Sequence, residues 1–388
     1  MLRNIRVGID VGTAATRVVV AEFLKGEKIP KILGTGWSVS HGIRHGYVFK
    51  FEDAVKSIKK AVAEAENSSG VKIKRAVVSI GGITLSSQIC LGTTVISRAD
   101  SEVTSLDINK AIKESEKNLN LGNKKIIHIF PVSYKLDDKE VLGRPEGQRG
   151  LKLEVRTLFV TVSSQHLDDL LGAIAEAGVE PINEIASPIA AAEIALGEKQ
   201  KMVGCALVNI GAETVSMAVF EDGMPIYVHA FNIGSTDITN DIALGLKIPL
   251  EEAESLKLGG TPDKYSKKKL DEIIDARFGD IFEYVENDLK KIKRNELLPA
   301  GIIFIGAGSA YSPLEKISKE TLNLPSKIGA SEMFGNAKTK LRDPAWFTAL
   351  GLCLVSNDSA SIGSPDNLPG FLKDIKNGLK SMFKQLKP

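Results

Sequence analysis

The sequence predicts an α/β protein built of two lobes that share one plan. Segment 7–23 runs as an apolar strand, a polar turn and a second β-branched strand, and segment 206–223 repeats this order. Each segment is followed later in the chain by an apolar strand that ends in small residues, at 76–82 and at 302–310. Segments with one apolar helical face separate the strands. Two such lobes would grip a ligand between paired hairpin turns.

Five segments have apolar residues at helical spacing and are predicted as helices. Ser105 is a plausible N-cap for the second of them, since its hydroxyl can accept a hydrogen bond from a free backbone N–H. The predicted helices are 52–67, 105–119, 166–177, 188–197 and 271–294.

Three strand-like stretches surround the helix at 105–119, and they predict a small α+β insert at 85–163 in the first lobe. Residues 356–369 are small, polar and interrupted by proline, which is typical of a linker.

Composition excludes several classes of protein. The chain has 388 residues and a formal net charge of +2, so a general attraction to nucleic acid is not predicted. The three cysteines are scattered and fit no disulfide framework or metal spacing, which favours a reducing cytoplasm. The N-terminus runs directly into a strand, so we predict no secretory signal, and no apolar run is long enough to span a bilayer.

The turn at residues 10–17 (DVGTAATR) has the chemistry of a phosphate site. Gly12 lets the backbone approach a ligand, and the N–H groups of such a turn attract anions. The Thr13 hydroxyl and the Arg17 guanidinium add donors, and Asp10 can order water on a magnesium ion. A tight hairpin without a ligand is the alternative, but the second copy of the turn makes the combination more specific.

These motifs resemble the actin/sugar-kinase/chaperone ATPase superfamily and, within it, the FtsA family of bacterial cell division proteins. The most specific stretch is 234–260 (GSTDITNDIALGLKIPLEEAESLKLGG), and 297–310 and 343–354 also match. The resemblance implies an actin-like fold whose two lobes each hold a ribonuclease-H-like mixed sheet flanked by helices. It divides the chain into a first lobe (1–84 with 164–199 and 340–355), the insert (85–163), a second lobe (200–245 with 300–339), a small helical subdomain (246–299), the linker and a membrane-targeting helix (370–388).

The resemblance also implies a nucleotide site that takes ATP and Mg. The first-lobe turn would face the phosphates with Asp10, Gly12, Thr13 and Arg17, Asp10 reaching the metal through water. The second-lobe turn would do so with Asn209, Gly211, Ala212 and Thr214. Glu254 and Lys257 would lie beside the ribose and adenine, although their spacing also fits a simple ion pair on a helix. The floor under the base would be Gly306, Ala307, Gly308 and Ser309.

Three departures from the family pattern predict slow hydrolysis or none, so enzyme activity stays an open question. Asn209 stands where an Asp is usual, and Ala212 and Glu213 replace glycines. Ser187 falls where superfamily relatives place a Glu or Gln that orients the attacking water. No catalytic residue is assigned.

A basic cluster near the end of the helix predicted at 271–294 has two interpretations. Its charges complement the helix dipole on a solvated face. The resemblance offers a second role, in which this subdomain receives the acidic C-terminal peptide of the tubulin-like protein FtsZ. The candidate residues are Arg277, Lys290, Lys291, Lys293 and Arg294.

Segment 371–388 predicts a basic amphipathic helix suited to an anionic lipid surface. At 100° per residue its apolar side chains fall within an arc of about 120°: Phe371, Leu372, Ile375, Leu379, Met382, Phe383 and Leu386. The facing arc carries Lys373, Lys376, Lys380 and Lys384. Docking on its own domain is the alternative, and the resemblance favours lipid.

The sequence therefore predicts a peripheral protein on the cytoplasmic face of the membrane at the division site. It would form filaments, tether FtsZ and recruit later division proteins to the septum. Three rival functions are a PilM-like assembly protein of a type IV pilus, a sugar kinase and a chaperone. The pilus protein is the main alternative, because no catalytic Asp or long peptide-binding domain supports the other two. His41 and His45 lie in a glycine-flanked loop without a third ligand, so no metal site is predicted there.

Overall fold

The computed structural model describes residues 4–27, 29–260, 265–311, 313–331 and 339–355. They form two compact units, one within residues 1–85 and 165–356 and one within residues 86–164. The linker at 356–369 and the predicted membrane helix at 370–388 lie outside the described residues.

The strands are β1 (Asn4–Val11), β2 (Ala15–Phe23), β3 (Lys31–Val39), β4 (Ile43–Arg44), β5 (Tyr47–Val48), β6 (Arg75–Ile80), β7 (Ser86–Val95), β8 (Lys124–Leu136), β9 (Lys139–Val141), β10 (Lys152–Ser163), β11 (Glu180–Ala186), β12 (Cys205–Ile210), β13 (Val215–Glu221), β14 (Met224–Phe231), β15 (Ile302–Ile305) and β16 (Ser326–Ile328). The helices are α1 (Phe51–Ser69), α2 (Ser105–Lys117), α3 (Ser164–Glu176), α4 (Ser187–Ala195), α5 (Glu198–Val203), α6 (Ser235–Leu246), α7 (Leu250–Lys257), α8 (Lys267–Lys291), α9 (Leu314–Leu322) and α10 (Phe347–Val355).

The larger unit confirms the internal duplication. Its first-lobe sheet has the order β11-β6-β1-β2-β3, in which β1 is antiparallel to β2 and parallel to β6. Its second-lobe strands follow the equivalent order β16-β15-β12-β13-β14, with β12 antiparallel to β13 and parallel to β15. The mixed sheets flanked by helices make this an actin-like fold.

Two buried helices, α4 and α10, lie at the centre of the larger unit. Helix α4 contacts β6 and β11 of the first lobe and β12 and β13 of the second, and α10 packs on α4 and β1. A Cβ on Gly351 of α10 would lie 1.8 Å from the carbonyl oxygen of Ala190 in α4. Only glycine permits that approach, so Gly351 lets α10 lie directly against α4.

Helix α8 covers the second-lobe sheet with a buried apolar face. Phe278 and Phe282 are fully buried on this face, and the Phe282 ring lies 5.4 Å from that of Phe304 on β15. Burial of each ring contributes about 1.5–3 kcal/mol, which fixes the helix against the sheet.

The smaller unit is the predicted α+β insert. Its strands have the antiparallel order β7-β10-β8-β9, and α2 packs on β7 and β10. The expected cap at Ser105 is wrong, because Ser105 is the first helical residue and Thr104 is the cap. The backbone N–H and the hydroxyl of Thr104 both donate to the carboxylate of Asp107, at 3.0 Å and 2.6 Å, and these bonds begin the helix one residue earlier.

The helix predicted at 271–294 is also displaced. Helix α8 begins at Lys267, where the Ser266 hydroxyl accepts a hydrogen bond from the N–H of Lys269, and it ends at Lys291. Lys293 has a left-handed backbone, with φ of 58°. Lys293 and Arg294 therefore lie beyond the helix and do not belong to its last turn. Among the helices of the described ranges, each is too short or too polar to cross a bilayer.

Candidate functional site

Two equivalent hairpin turns face each other across a cleft in the larger unit. Between β1 and β2, the N–H of Gly12 donates to the carbonyl oxygen of Ala15, 3.1 Å away. Between β12 and β13, the N–H of Gly211 donates to Thr214 at 2.9 Å. The cleft has a volume of about 860 Å³. All eight residues predicted from the two turns line it: Asp10, Gly12, Thr13, Arg17, Asn209, Gly211, Ala212 and Thr214.

Asp10 lies at the end of β1 with two groups that favour its ionised form. The hydroxyl of Ser79 donates to Oδ1 of Asp10 at 2.6 Å, and Arg17 is its partner across the hairpin. Burial raises the pKa of Asp10, and the Ser79 hydrogen bond and the Arg17 charge only partly offset this. In the described ranges no cluster of three His, Cys, Asp or Glu side chains could hold a metal ion. In its ionised form the carboxylate of Asp10 could order water around a magnesium ion that enters with an anionic ligand.

Arg17 has an unused donor in the cleft. Its Nε is buried and has no hydrogen-bond partner among the described residues, and its guanidinium lies 5.9 Å from the centre of the Trp346 ring. A buried donor without a partner costs about 1–3 kcal/mol, which an anionic ligand would recover. The residues present therefore fit a phosphate-bearing molecule.

Glu254 and Lys257 line the cleft from α7, and both are also bound within the protein. The Lys257 ammonium lies 2.7 Å from the Glu254 carboxylate, and it donates to the Thr239 hydroxyl at 2.8 Å. Burial acts to raise the pKa of Glu254, but the hydrogen bonds from Lys257 and Thr239 outweigh it and leave that pKa below its usual range. This network joins α7 to α6, and it positions both side chains at the cleft.

The turn after β15 has glycines for reasons of packing. Gly306 has a φ of 88°, and a Cβ there would lie 2.3 Å from Oδ1 of Asn209. A Cβ on Gly308 would lie 2.4 Å from the Ile210 side chain. Gly306, Ala307 and Gly308 line the cleft. Ser309 is buried behind it, and its hydroxyl donates to the carbonyl oxygen of Gly306 at 2.8 Å. Ser309 thus shapes the floor without facing the cleft.

The cleft includes residues that we did not predict. Lys267, Asp271 and Tyr311 line it beside the floor, and Gly46 and Gly82 line it near the first turn. Lys267 begins a helix, and no sequence pattern separates it from a surface lysine. The paired glycines in "IRHGYV" and "SIGG" are a usable signal, because a Cβ on Gly46 would lie 2.3 Å from the Cα of Gly82.

The candidate peptide-binding basic residues are mostly engaged within the protein. Arg277 donates two hydrogen bonds to Asp241 and lies 3.1 Å from Asp280. Arg294 donates to both carboxylate oxygens of Glu221, through Nε and Nη2. Lys290 pairs with Glu286 at 2.8 Å, and Lys291 pairs with Asp288 at 2.7 Å.

Two family models match this chain. A model described as cell division protein FtsA matches residues 206–351, and a model of the SHS2 domain inserted in FtsA matches residues 82–161. Curated relatives carry the name cell division protein FtsA. The chain is 26% identical to that of Pseudomonas aeruginosa, over 94% of this chain and 92% of the relative. It is 28% identical to that of Neisseria meningitidis, over 97% and 98% of the two chains.

Solved structures share the fold. The PilM–PilN type IV pilus biogenesis complex matches with a TM-score of 0.67 and 17% identity, over 90% of this chain and 98% of that one. The ethanolamine utilization protein EutJ from Carboxydothermus hydrogenoformans matches with a TM-score of 0.56 and 17% identity, over 91% of each chain. At 17% identity the likeness to PilM shows the fold alone. Both family models that match the sequence, by contrast, describe FtsA.

Proposed function

Because the chain belongs to the FtsA family of cell division proteins, we propose that it binds ATP and magnesium between its lobes and links FtsZ filaments to the cell membrane. The observation that carries the nucleotide assignment is the pair of equivalent turns, at Gly12 and Gly211, on opposite walls of one cleft. A molecule with several phosphates would be held by both turns at once, so its binding would favour closure of the lobes.

Each part of the cleft would have a separate role. Thr13, the backbone of Gly12 and the Nε of Arg17 would bind phosphate oxygens from the first lobe, and Asn209 and Thr214 would do so from the second. Glu254 and Lys257, held in place by Thr239, would contact the sugar and base. Gly306 and Ala307 would lie under the base.

Hydrolysis would be slow, and ATP would act as a clamp for assembly. Ser187 lies at the start of α4 and lines the cleft where superfamily relatives carry Glu or Gln. A serine hydroxyl is a poor base for orienting an attacking water, and Asn209 carries no charge. We expect phosphate release by purified protein to stay below about one turnover per minute, and Ser187→Glu to raise it.

Membrane attachment would depend on assembly. The amphipathic segment 371–388 combines an apolar stripe with lysines that anionic lipids attract. A single helix of this size is a reversible anchor, whereas a filament presents many copies and binds through avidity. Nucleotide binding, filament formation and membrane attachment would therefore rise together.

Lys293 is the candidate with most freedom to bind the acidic FtsZ peptide. The basic residues at 277, 290, 291 and 294 neutralise carboxylates of the second lobe and its subdomain. An acidic peptide would compete with these internal partners, so recognition would require more than positive charge.

Two experiments test these assignments. Titration with a fluorescent ATP analogue tests the cleft, and absence of affinity in the presence of magnesium would refute the nucleotide assignment. Co-sedimentation with liposomes tests the membrane role. We expect pelleting that requires anionic lipid and increases with ATP, and that purified FtsZ joins the pellet. A chain truncated after residue 355 should bind nucleotide but stay in the supernatant. Equal pelleting of both chains would contradict the lipid role of the tail.

A further inference from the structure

A two-residue hairpin turn bridges the two phosphate-binding turns. It joins β4 to β5 through His45 and Gly46, which have φ of 49° and 82°. Both central residues of such a turn adopt left-handed backbone, and their N–H groups point away from the hairpin ladder. These N–H groups can therefore donate hydrogen bonds to acceptors elsewhere in the protein.

The two N–H groups bind residues from opposite lobes. The N–H of Gly46 donates to the hydroxyl of Thr13 in the first-lobe turn, 3.2 Å away. The N–H of His45 donates to Oε2 of Glu213 in the second-lobe turn, 2.6 Å away. Nδ1 of His45 lies 3.7 Å from the same carboxylate oxygen. A bond to a carboxylate is stronger than one between neutral groups, so the Glu213 contact is the tighter of the two links.

The hairpin tip is fixed in the first lobe. The N–H of Ile83 donates to the carbonyl oxygen of His45 at 3.3 Å, and Gly46 packs against Gly82 without room for a Cβ. Opening of the cleft therefore cannot carry the tip along with the second lobe, and the bond to Glu213 must break.

We propose that Glu213 is a latch that holds the second phosphate turn against the first lobe and slows the release of nucleotide. Glu213 stands at a position where the second phosphate motif of the family has glycine. Its carboxylate faces a backbone N–H of the other lobe, so a residue that departs from the motif has gained a mechanical role. This inference rests on the proposed nucleotide site.

Glu213→Ala and Glu213→Gln form a matched pair that separates a latch from simple charge repulsion. If the carboxylate only repels phosphates, both variants should release nucleotide more slowly. If it is a latch, Glu213→Ala loses the acceptor and should release nucleotide about tenfold faster, which corresponds to about 1.4 kcal/mol. Glu213→Gln keeps an acceptor oxygen and should lie between Glu213→Ala and the unmodified chain.

The experiment measures the dissociation rate of a fluorescent ATP analogue by stopped flow, with hydrogen exchange of residues 43–49 in the nucleotide-free chain as a second readout. We expect Glu213→Ala to speed both, and Glu176→Ala, which removes an exposed carboxylate at the end of α3, to change neither. Slower release from both Glu213 variants, or faster exchange without faster release, would overturn the proposal. If the unmodified chain binds no nucleotide, the proposed function fails, while unchanged exchange at 43–49 in Glu213→Ala would refute the latch itself.

Discussion

The hydroxyl of Ser79, at the end of β6, donates a 2.6 Å hydrogen bond to the carboxylate of Asp10, at the end of β1. The two strands are parallel neighbours, so their carboxyl ends meet at one edge of the first-lobe sheet. The bond lowers the pKa of Asp10 against the effect of burial, which raises it. The Ser79 bond therefore favours the ionised form of Asp10, which is the form that would order water on magnesium under the proposed function.

Replacement of Ser79 by alanine should raise the pKa of Asp10 further, since burial then acts with only the Arg17 charge against it. We expect the affinity for magnesium-ATP to weaken at low pH and the midpoint of its pH dependence to move upward. Titration of a fluorescent ATP analogue from about pH 5 to pH 8 measures this change. The same titration in EDTA is the control, and an equal pH shift there would contradict a role through the metal.

Gly306→Ala should distort the floor of the cleft. The new Cβ would meet Oδ1 of Asn209 at 2.3 Å in a backbone of positive φ. We expect a loss of more than about 2 kcal/mol in unfolding free energy and weaker nucleotide binding. Gly178→Ala is a matched control, because Gly178 also has a positive φ, of 93°, but no atom within 4 Å of a Cβ. It should cost about 1 kcal/mol and leave nucleotide binding unchanged. Equal effects of the two variants would show that backbone strain alone, and not the contact with Asn209, causes the loss of stability and of nucleotide binding.

Thr239→Val should weaken nucleotide binding without touching the cleft. The Thr239 hydroxyl joins Glu254 to Lys257, and valine removes it while keeping the side-chain shape. We expect the affinity for ATP to fall severalfold, because the two cleft residues lose a shared partner that costs about 1 kcal/mol to remove. Calorimetric titration measures the effect, with Thr321→Val at an exposed position of α9 as the control. Unchanged affinity would show that the Glu254–Lys257 ion pair holds its position without Thr239.

His128 should make the insert sensitive to acid. Burial lowers the pKa of His128 from 6.5 to about 3, so below pH 6.5 the unfolded insert binds a proton that the folded insert does not. Stability must therefore fall as pH decreases through that window, by about 2 kcal/mol between pH 7 and pH 5.

Hydrogen exchange of β8 and β10, corrected for the intrinsic effect of pH, measures the acid sensitivity of the insert. We expect His128→Phe to flatten the pH dependence because it removes the titrating group. If the variant keeps the full pH dependence, other groups govern the acid sensitivity of this unit.

Charge reversal should distinguish the role of Lys293, in peptide binding, from that of Arg294, in stability. Arg294 donates to Glu221 through Nε and Nη2, so Arg294→Glu places two carboxylates together and should lower the thermal midpoint. Lys293→Glu changes a residue beyond the end of α8 and should weaken affinity for the acidic FtsZ peptide while leaving the thermal midpoint unchanged. Fluorescence anisotropy of the labelled peptide and thermal unfolding measure the two effects. Normal peptide affinity in Lys293→Glu would argue against Lys293 as a contact.

Local pattern was enough to determine the duplicated architecture. The strand–turn–strand segments at 7–23 and 206–223 are recognisable from their short apolar and β-branched runs and from glycine in the turns, and both signals depend on neighbours in sequence. The same signals located the insert and the eight turn residues that line the cleft. They placed helix ends less well, because the cap at Thr104 and the end of α8 depend on individual hydrogen bonds.

Tertiary structure alone decided which side chains meet. In the sequence, Glu213 is only a residue that replaces a glycine of the family motif. The fold brings its carboxylate to the N–H of His45, 168 residues earlier in the chain. The charges of Arg277 and Arg294 read as a free basic surface, yet Asp241 and Glu221 neutralise them from other elements. Turn and strand preferences are local energies that a short segment carries with it, whereas hydrogen bonds and ion pairs between distant residues exist only after the two sheets have packed around α4 and α10.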